Sequence, residues 1–485
     1  MTVRAGSRWE RLSRLPVPAP SWGWMAAALS AVAGAVFVGV AISQWRAFQV
    51  NAYDLAIFDQ VVWNTSRGQW YETSFAEYGN YLGQHFSPVV AVFVPAYMLG
   101  GGPLLLTGVQ GLVAAIAALP LYAAGRRWGL APMVAVALAG AYLLNPYLHH
   151  AVAFDFHPET MVVLPAFGSV WAVADGRYRL AALLGATTLL FKEDSVFVAL
   201  ALAALIAWQG GRREGALLAI VSVATSLLAI GVLMPHFREG APNDFLPRYG
   251  YLAPAAASEW ELATTALRNP GPLVEALSRD GRVWTAVVFV VVSAPLALLR
   301  PVWLLALVPG LAVALFSSLE WQNTLAFHYA VQLVPLALIG VALGARQVAG
   351  RIPADAVVAA MLLPALLGFL AQSPFSPIAA DEPTPSERHR EALAEAVALI
   401  PAGDTVSAQS SIVPRLSQRP TVAEFPGRRW EAEWVVVDQY GARSSTSLAA
   451  GFWDALVETR ARYERVYEGD GVEVYRNPEP EEPTY

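Results

Sequence analysis

Five short strings carry most of the side chains able to move a proton or hold an anion. The first is Asn51-Ala-Tyr-Asp54-Leu-Ala-Ile-Phe-Asp59-Gln-Val-Val-Trp-Asn64. A carboxylate at a lipid–water boundary can take a proton from a hydroxyl as a general base, and Asp54 is the first candidate. Capping of the following helix is the competing role, a common one for aspartate. Asp59 is the second candidate, but five residues of helix place it about 140° away, so the two are not expected to act as one pair. The second string, His149-His150 followed by Phe154-Asp155-Phe-His157-Pro-Glu159, is dense in potential ligands. In an extended segment Asp155 and His157 point to one side. They suit a divalent cation, and equally a phosphate or a sugar hydroxyl. No HExxH or similar zinc signature accompanies them, so the composition specifies no metal. The third string, Lys192-Glu193-Asp194, holds the only lysine of a chain that otherwise uses arginine. Its compact ammonium can neutralise a leaving phosphate, or can simply pair with a neighbouring acid. His328-Tyr329 and His85-Phe-Ser-Pro88 complete the set.

The elements that must position these groups are set by composition. Of 485 residues, 56% are hydrophobic and 14% charged, and the mean hydropathy is +0.44. Soluble domains carry about 25% charged residues, so this chain cannot cover itself with polar surface and lipid must be its solvent. There is no cysteine, which excludes disulfides and thiolate metal sites. No basic cluster suggests a nucleic-acid footprint.

Apolar runs fall at 22–45, 86–100, 103–125, 130–148, 160–174, 180–191, 195–209, 215–235, 284–299, 302–318, 328–345 and 353–372. Arg126/Arg127, Arg177/Arg179, Arg212/Arg213, Arg300 and Arg346/Arg351 sit in short loops. The excess of arginine on cytoplasmic loops assigns all of these to one side, which leaves about eleven crossings, with 86–100 only half-inserted. Residues 180–209 then form a hairpin of two short helices with Lys192-Glu193-Asp194 at its crest.

The predicted organisation is an inward tail over 1–21, bearing Arg4, Arg8, Arg11 and Arg14, and a transmembrane domain over 22–372. Its outward loops are 46–87, 149–159, 192–194, 236–283 and 319–327. Residues 373–476 read as a small outward α/β domain, with strands at Thr405–Ala408, Trp434–Asp438 and Val472–Tyr475 and helices at Glu387–Ile400 and Phe452–Tyr467. A disordered tail is expected over 477–485. Six of the seven histidines then fall at the outer boundary, among acids drawn from loops far apart in sequence. Ionisable groups at such a boundary are costly to retain, so one polar cavity is the expectation. Leu55, Phe58, Val61 and Val62 at helical spacing predict an amphipathic helix lying on the membrane surface beside Asp54.

The strings Tyr53-Asp-Leu-Ala-Ile-Phe-Asp-Gln60, Gln84-His-Phe-Ser-Pro88, Phe154-Asp-Phe-His-Pro-Glu159, Lys192-Glu-Asp194 and Ile400-Pro-Ala-Gly-Asp-Thr-Val-Ser-Ala-Gln409 resemble a bacterial membrane family known as domain of unknown function 2079. The layout is in turn similar to the glycosyltransferase-C superfamily. That resemblance implies an all-α polytopic fold with a small C-terminal α/β extracytoplasmic domain, in the bacterial cytoplasmic membrane. It also implies transfer of a sugar from a polyprenyl-phosphate donor to an extracytoplasmic acceptor. By position, Asp54 matches the acidic residue that acts as base and Asp155 the second acidic motif. His85, Lys192 and His328 match polar or basic residues near the donor, and His149, His150, His157, Glu159 and Glu193 fall on the same substrate-binding face. Many members carry Asp-Glu at the first motif, whereas Leu55 follows Asp54 here, so Asp59 stays a second candidate for the base. Two other classes compete. A transporter or flippase of a lipid-linked or polar solute should show internal repeats and helices broken near the midplane. A non-catalytic sensor or assembly protein would keep ligands without turnover.

Overall fold

The apolar runs of the sequence become helices whose starts are set largely by proline. Pro103, Pro132, Pro146, Pro158 and Pro301 each open a helical segment, where the missing N–H is no loss and the fixed φ is already helical. The computed structural model describes residues 22–481 apart from 77, 242–244, 255–257, 380–383 and 442–448. The arginines of the expected inward tail therefore lie outside the described residues, as does 482–485.

Among the described residues, four helices are long and apolar enough to cross a membrane: Gly23–Ala47, Pro103–Arg127, Arg212–Arg238 and Ala354–Gln372. Seven more apolar helices of the described residues run to only 10–17 residues, among them Tyr178–Leu190, Pro301–Leu315 and Leu333–Val348. The expected count of about eleven full crossings is thus not reached by length, since spanning needs about 20 residues. The physical reason is local. Several runs tighten into 3₁₀ turns, at Pro158–Val162, Thr188–Leu190 and Pro295–Leu299. Residues 88–98 form only a 3₁₀ turn and one short helix.

Helix Leu333–Val348 is buried from Leu333 to Ala345 and serves as the centre of the bundle. Gly344 is what lets the Pro295–Leu299 turn lie against it, because a Cβ there would meet the Leu296 carbonyl oxygen at 2.0 Å.

The C-terminal part forms a five-stranded sheet: β1 (Val406–Ala408), β2 (Val422–Glu424), β3 (Trp434–Asp438), β4 (Glu464–Gly469) and β5 (Val472–Arg476), in the order β2-β1-β3-β5-β4. β1 runs parallel to β2 and β3, while β5 is antiparallel to β3 and β4. Three sequence readings change here. β2 was not foreseen, being only three residues long. The helix expected to reach Tyr467 stops at Arg462, because Glu464–Gly469 turns back at Asp470-Gly471 and pairs with β5 as a hairpin. The tail expected from Asn477 is tied down at its first residue, where Asn477 donates to the Trp430 carbonyl at 3.1 Å.

One face of the sheet shares its apolar core with the membrane part. Phe48, Ala52 and Ala56 pack with Ala392, Leu393, Val406, Ile412 and Val436. This corrects the expectation of a surface-lying helix after the first span. Helix Ile57–Thr65 is buried almost throughout, with its polar residues Asp59 and Gln60 both at 0% exposure, because the C-terminal lobe covers the face that was expected to meet water. Asp59 accepts hydrogen bonds from Tyr97 (2.6 Å), Ser417 (2.7 Å) and Gln418 (3.2 Å), and Gln60 donates to the Arg419 carbonyl (2.9 Å). The Arg415 guanidinium stacks over Trp45 at 3.9 Å and Phe48 at 4.2 Å.

Burial pushes the Asp59 carboxyl up to about 6, against the pull of its three donors. A folded-state value above the ordinary 3.8 stabilises the docked lobe below that ordinary value, and the contribution is lost as pH rises through about 6. Two units correspond to about 3 kcal/mol. Hydrogen-exchange protection of the 57–65 and 413–419 backbones, with the intrinsic pH dependence of exchange divided out, should therefore fall between pH 4 and pH 7, and Asp59→Asn should flatten that dependence. An unchanged slope in the variant would remove Asp59 as its source.

Candidate functional site

The first span ends at Ala47, and the chain then runs extended through Asn51 into a turn at Tyr53-Asp54 before the next helix starts. Asp54 stands at φ 97, ψ −87, a conformation that an L residue adopts at a cost of about 1–3 kcal/mol and that persists only where the surroundings over-determine it. The surroundings here come from both parts of the protein. The Ala52 N–H donates to Ser410 at the end of β1 (3.1 Å). On the other side, Asn51 donates its backbone N–H (3.1 Å) and its side-chain amide (2.8 Å) to Asp155.

Asp155 is itself in left-handed backbone, at φ 47, so 154–157 is not the extended segment the sequence suggested. Its carboxylate turns back to Asn51, whereas His157 turns to Asp54. His157 Nε2 lies 3.1 Å from Asp54 Oδ1, without the alignment of a straight hydrogen bond. Burial first, and then the Asp54 carboxylate, push the Asp155 carboxyl up to about 7, with Asn51 opposing. Gln110, from the middle of the second long helix, fixes this loop by donating to the Asp155 carbonyl (2.8 Å) and accepting from the His157 N–H (2.6 Å).

Behind Asp54 the polar groups continue inward. The His157 and His328 rings stack with centroids 3.6 Å apart, and Phe154 stacks on Phe327 at 4.0 Å beside them. His328 Nε2 is 3.7 Å from Glu159 Oε1, which also receives Lys192 Nζ at 2.8 Å. Lys192 is thus paired internally, yet its ammonium has three donors and the Glu159 contact takes one. Burial opposes its charge, but Glu159, Asp194 and Glu193 outweigh burial and hold its pKa well above the ordinary value. Burial, with His157 and Lys192 close by, keeps His328 neutral. Glu193 accepts from the Phe86 N–H (2.9 Å) and meets His85 Nδ1 (2.7 Å), and Asp194 accepts from Gln332 (2.5 Å). His328 Nδ1, Ser195 Oγ, Ser87 Oγ and Gln332 Oε1 are buried in this region with no partner, which marks the interior as polar rather than packed shut.

Of the sequence candidates, Asp54, His85, Asp155, His157, Glu159, Lys192, Glu193 and His328 therefore meet in one connected cluster at one end of the helical bundle. Three do not join it. Asp59 faces the C-terminal lobe. His149 bonds Ser373 Oγ (2.8 Å) and the Leu143 carbonyl (2.6 Å) among Phe37, Phe369 and Phe375, and His150 meets the Gln372 backbone. Both histidines tie helix Pro146–Ala153 to the end of the last long helix, a packing role. Among the described residues, no group of three or more His, Asp or Glu is arranged to hold a metal ion.

Asn51, Gln110, Gln332 and Arg248 were missed. A lone amide such as Gln110 inside an apolar run was the available signal. Arg248 lies close enough to depress His328 and to act on Tyr329, and it forms no ion pair among the described residues; its guanidinium sits 4.4 Å over Phe245. Nothing in the sequence separates it from the other arginines of its loop.

Residues 45–474 match the model of a family described as predicted membrane protein, DUF2079. No curated protein sequence matches the chain. Among solved structures, it is similar to ArnT from Cupriavidus metallidurans bound to undecaprenyl phosphate, at 12% identity and a TM-score of 0.44 over 93% of this chain and 99% of that one. It is also similar to the apo oligosaccharyltransferase of Archaeoglobus fulgidus, at 13% identity and a TM-score of 0.46 over 94% of this chain and 75% of that one.

Proposed function

The chain belongs to the DUF2079 family of predicted membrane proteins, and on that footing we propose that it is an inverting glycosyltransferase working at the outer face of the bacterial cytoplasmic membrane. The donor in this reading is a sugar on a polyprenyl phosphate and the acceptor is an extracytoplasmic hydroxyl. Asp54 takes the hydroxyl proton. The acceptor oxygen forms a bond to the anomeric carbon, the bond from that carbon to the phosphate oxygen breaks, and the electron pair leaves with the lipid phosphate. Lys192, Arg248 and His328 meet the charge that develops on the departing phosphate. The Phe154/His157 ring pair orients the sugar, and Asp155 holds the Asn51 turn that presents Asp54.

One observation carries the reading. One carboxylate of the cluster, Asp54 at 28% side-chain exposure, is held in a strained turn above a line of His157, His328, Glu159 and Lys192. Strain retained at one acid beside preorganised donors, with Lys192 and Arg248 as the cations, is the pattern expected of a base facing a leaving anion. The sequence motifs, whose resemblance points to lipid-phosphate sugar chemistry, supply the donor class.

The test is incubation of the full-length protein in liposomes with a panel of radiolabelled polyprenyl-phosphate sugars and candidate acceptors. Release of free polyprenyl phosphate with one donor supports the reading. Release with none, from protein shown to be folded, removes it. Within that assay Arg248→Gln should lower kcat/KM for the donor about 10–100-fold, the range for losing one hydrogen bond to a charged group. A variant that turned over normally would take Arg248 out of the phosphate site.

A further inference from the structure

Two helices that begin at the Asp54 cluster end together at a second polar feature. Val196–Trp208 starts just after Lys192-Glu193-Asp194, and Leu333–Val348 just after Gln332, the partner of Asp194. At 1.5 Å per residue their far ends lie about 20–24 Å away, at the opposite end of the bundle. There Trp208, Gln209, Arg300, Leu343, Arg346 and Gln347 line an open cavity of about 360 Å³.

Its charge has no acid beside it among the described residues. At the same end Arg127 pairs with Asp175 at 3.1 Å and Arg126 caps the Leu130 carbonyl. Among the described residues Arg300 and Arg346 form no ion pair, and no acid lines the cavity. An arginine in the last turn of a helix is expected on dipole grounds, which accounts for Arg346. It does not account for Arg300, which follows a 3₁₀ turn and lies 5.9 Å over the Trp208 ring. The side-chain oxygen of Gln347 is buried without a partner, an acceptor left for a hydroxyl.

What flanks the cavity decides the source of the anion. Leu298, Val302 (80% exposed) and Leu305 stand beside Arg300 with their apolar surfaces outward. In a membrane protein such surface meets acyl chains, and an exposed tryptophan beside it marks the interface. We propose that this cavity holds the phosphate of an anionic phospholipid with a hydroxyl-bearing headgroup. Arg300 and Arg346 take the phosphate oxygens, Gln347 accepts from the headgroup hydroxyl, and Trp208 and Val302 lie along the chains. The site is separate from the Asp54 cluster and does not depend on the proposed transfer reaction.

The experiment is a titration of full-length protein with short-chain phosphatidylglycerol, short-chain phosphatidylcholine and inorganic phosphate, read by native mass spectrometry. Phosphatidylglycerol should bind best, and Arg300→Gln with Arg346→Gln should weaken it about 30-fold, a loss of about fivefold for each guanidinium near the surface. Arg212→Gln with Arg213→Gln, outside the cavity, should change binding less than twofold. Equal binding of phosphatidylcholine, saturation by inorganic phosphate at the same concentration, or equal losses from the two pairs of variants would each overturn the site.

Discussion

Asp54→Asn is expected to lower sugar transfer about 10²–10⁴-fold, the range for losing a positioned general base, while the protein still reaches the membrane and unfolds at an unchanged temperature. Asparagine preserves the shape of the side chain and tolerates φ above zero, so the turn should keep its geometry. The loss should fall on kcat, because in the proposed reaction the carboxylate acts on the acceptor proton and not on the donor lipid. Asp59→Asn is the natural control: Asp59 is fully buried under the C-terminal lobe and accepts from Ser417 and Gln418 there, so its effect should appear in lobe docking. Normal transfer by Asp54→Asn in liposomes would end the assignment of the base.

Glu159→Ala should be the most destabilising single change in the cluster, at about 3–5 kcal/mol, the cost of leaving a buried charge without its partner. Glu159 is 4% exposed and Lys192 12%, and among the described residues no other carboxylate is within ion-pair distance of Lys192, Asp194 and Glu193 acting on it only from farther away. The companion change Lys192→Met should recover most of the loss, since the pair together can be replaced by packed apolar volume far more cheaply than one member alone. Thermal unfolding of detergent-solubilised single and double variants measures this. A Glu159→Ala variant within 1 kcal/mol of the parent would mean that water or another acid reaches Lys192, and the closed ionic line behind Asp54 would not exist.

The same residues show how far the sequence could be read. Lys192-Glu193-Asp194 appeared as the crest of a hairpin, and it is one, because the apolar runs on either side are each too short and too similarly flanked by arginine to be a single span. His157 and His328 were candidates from position alone, and they stack on each other across 171 residues of chain. Asp59 shows the opposite. By spacing it belongs to an exposed face of a surface helix, and nothing local says that Ser417 and Gln418 will arrive from the far end of the chain to cover it. His149 and His150 read as ligands because the pair is dense in nitrogen, yet their surroundings are Phe37, Phe369 and a serine at the end of a distant helix.

Sequence by itself determined that this is a membrane protein, where its apolar segments lie, and that its acids and histidines gather at segment ends. Those follow from solvation, which acts on each residue through its own neighbours in the chain. Only the tertiary structure decided which ends come together, that Asp54 turns to His157 while Asp155 turns to Asn51, and that a C-terminal sheet shares its core with the turn bearing Asp54. Those contacts join segments separated by 100 to more than 350 positions. Their partners are chosen by packing between whole helices and a sheet, and no local pattern encodes such a choice.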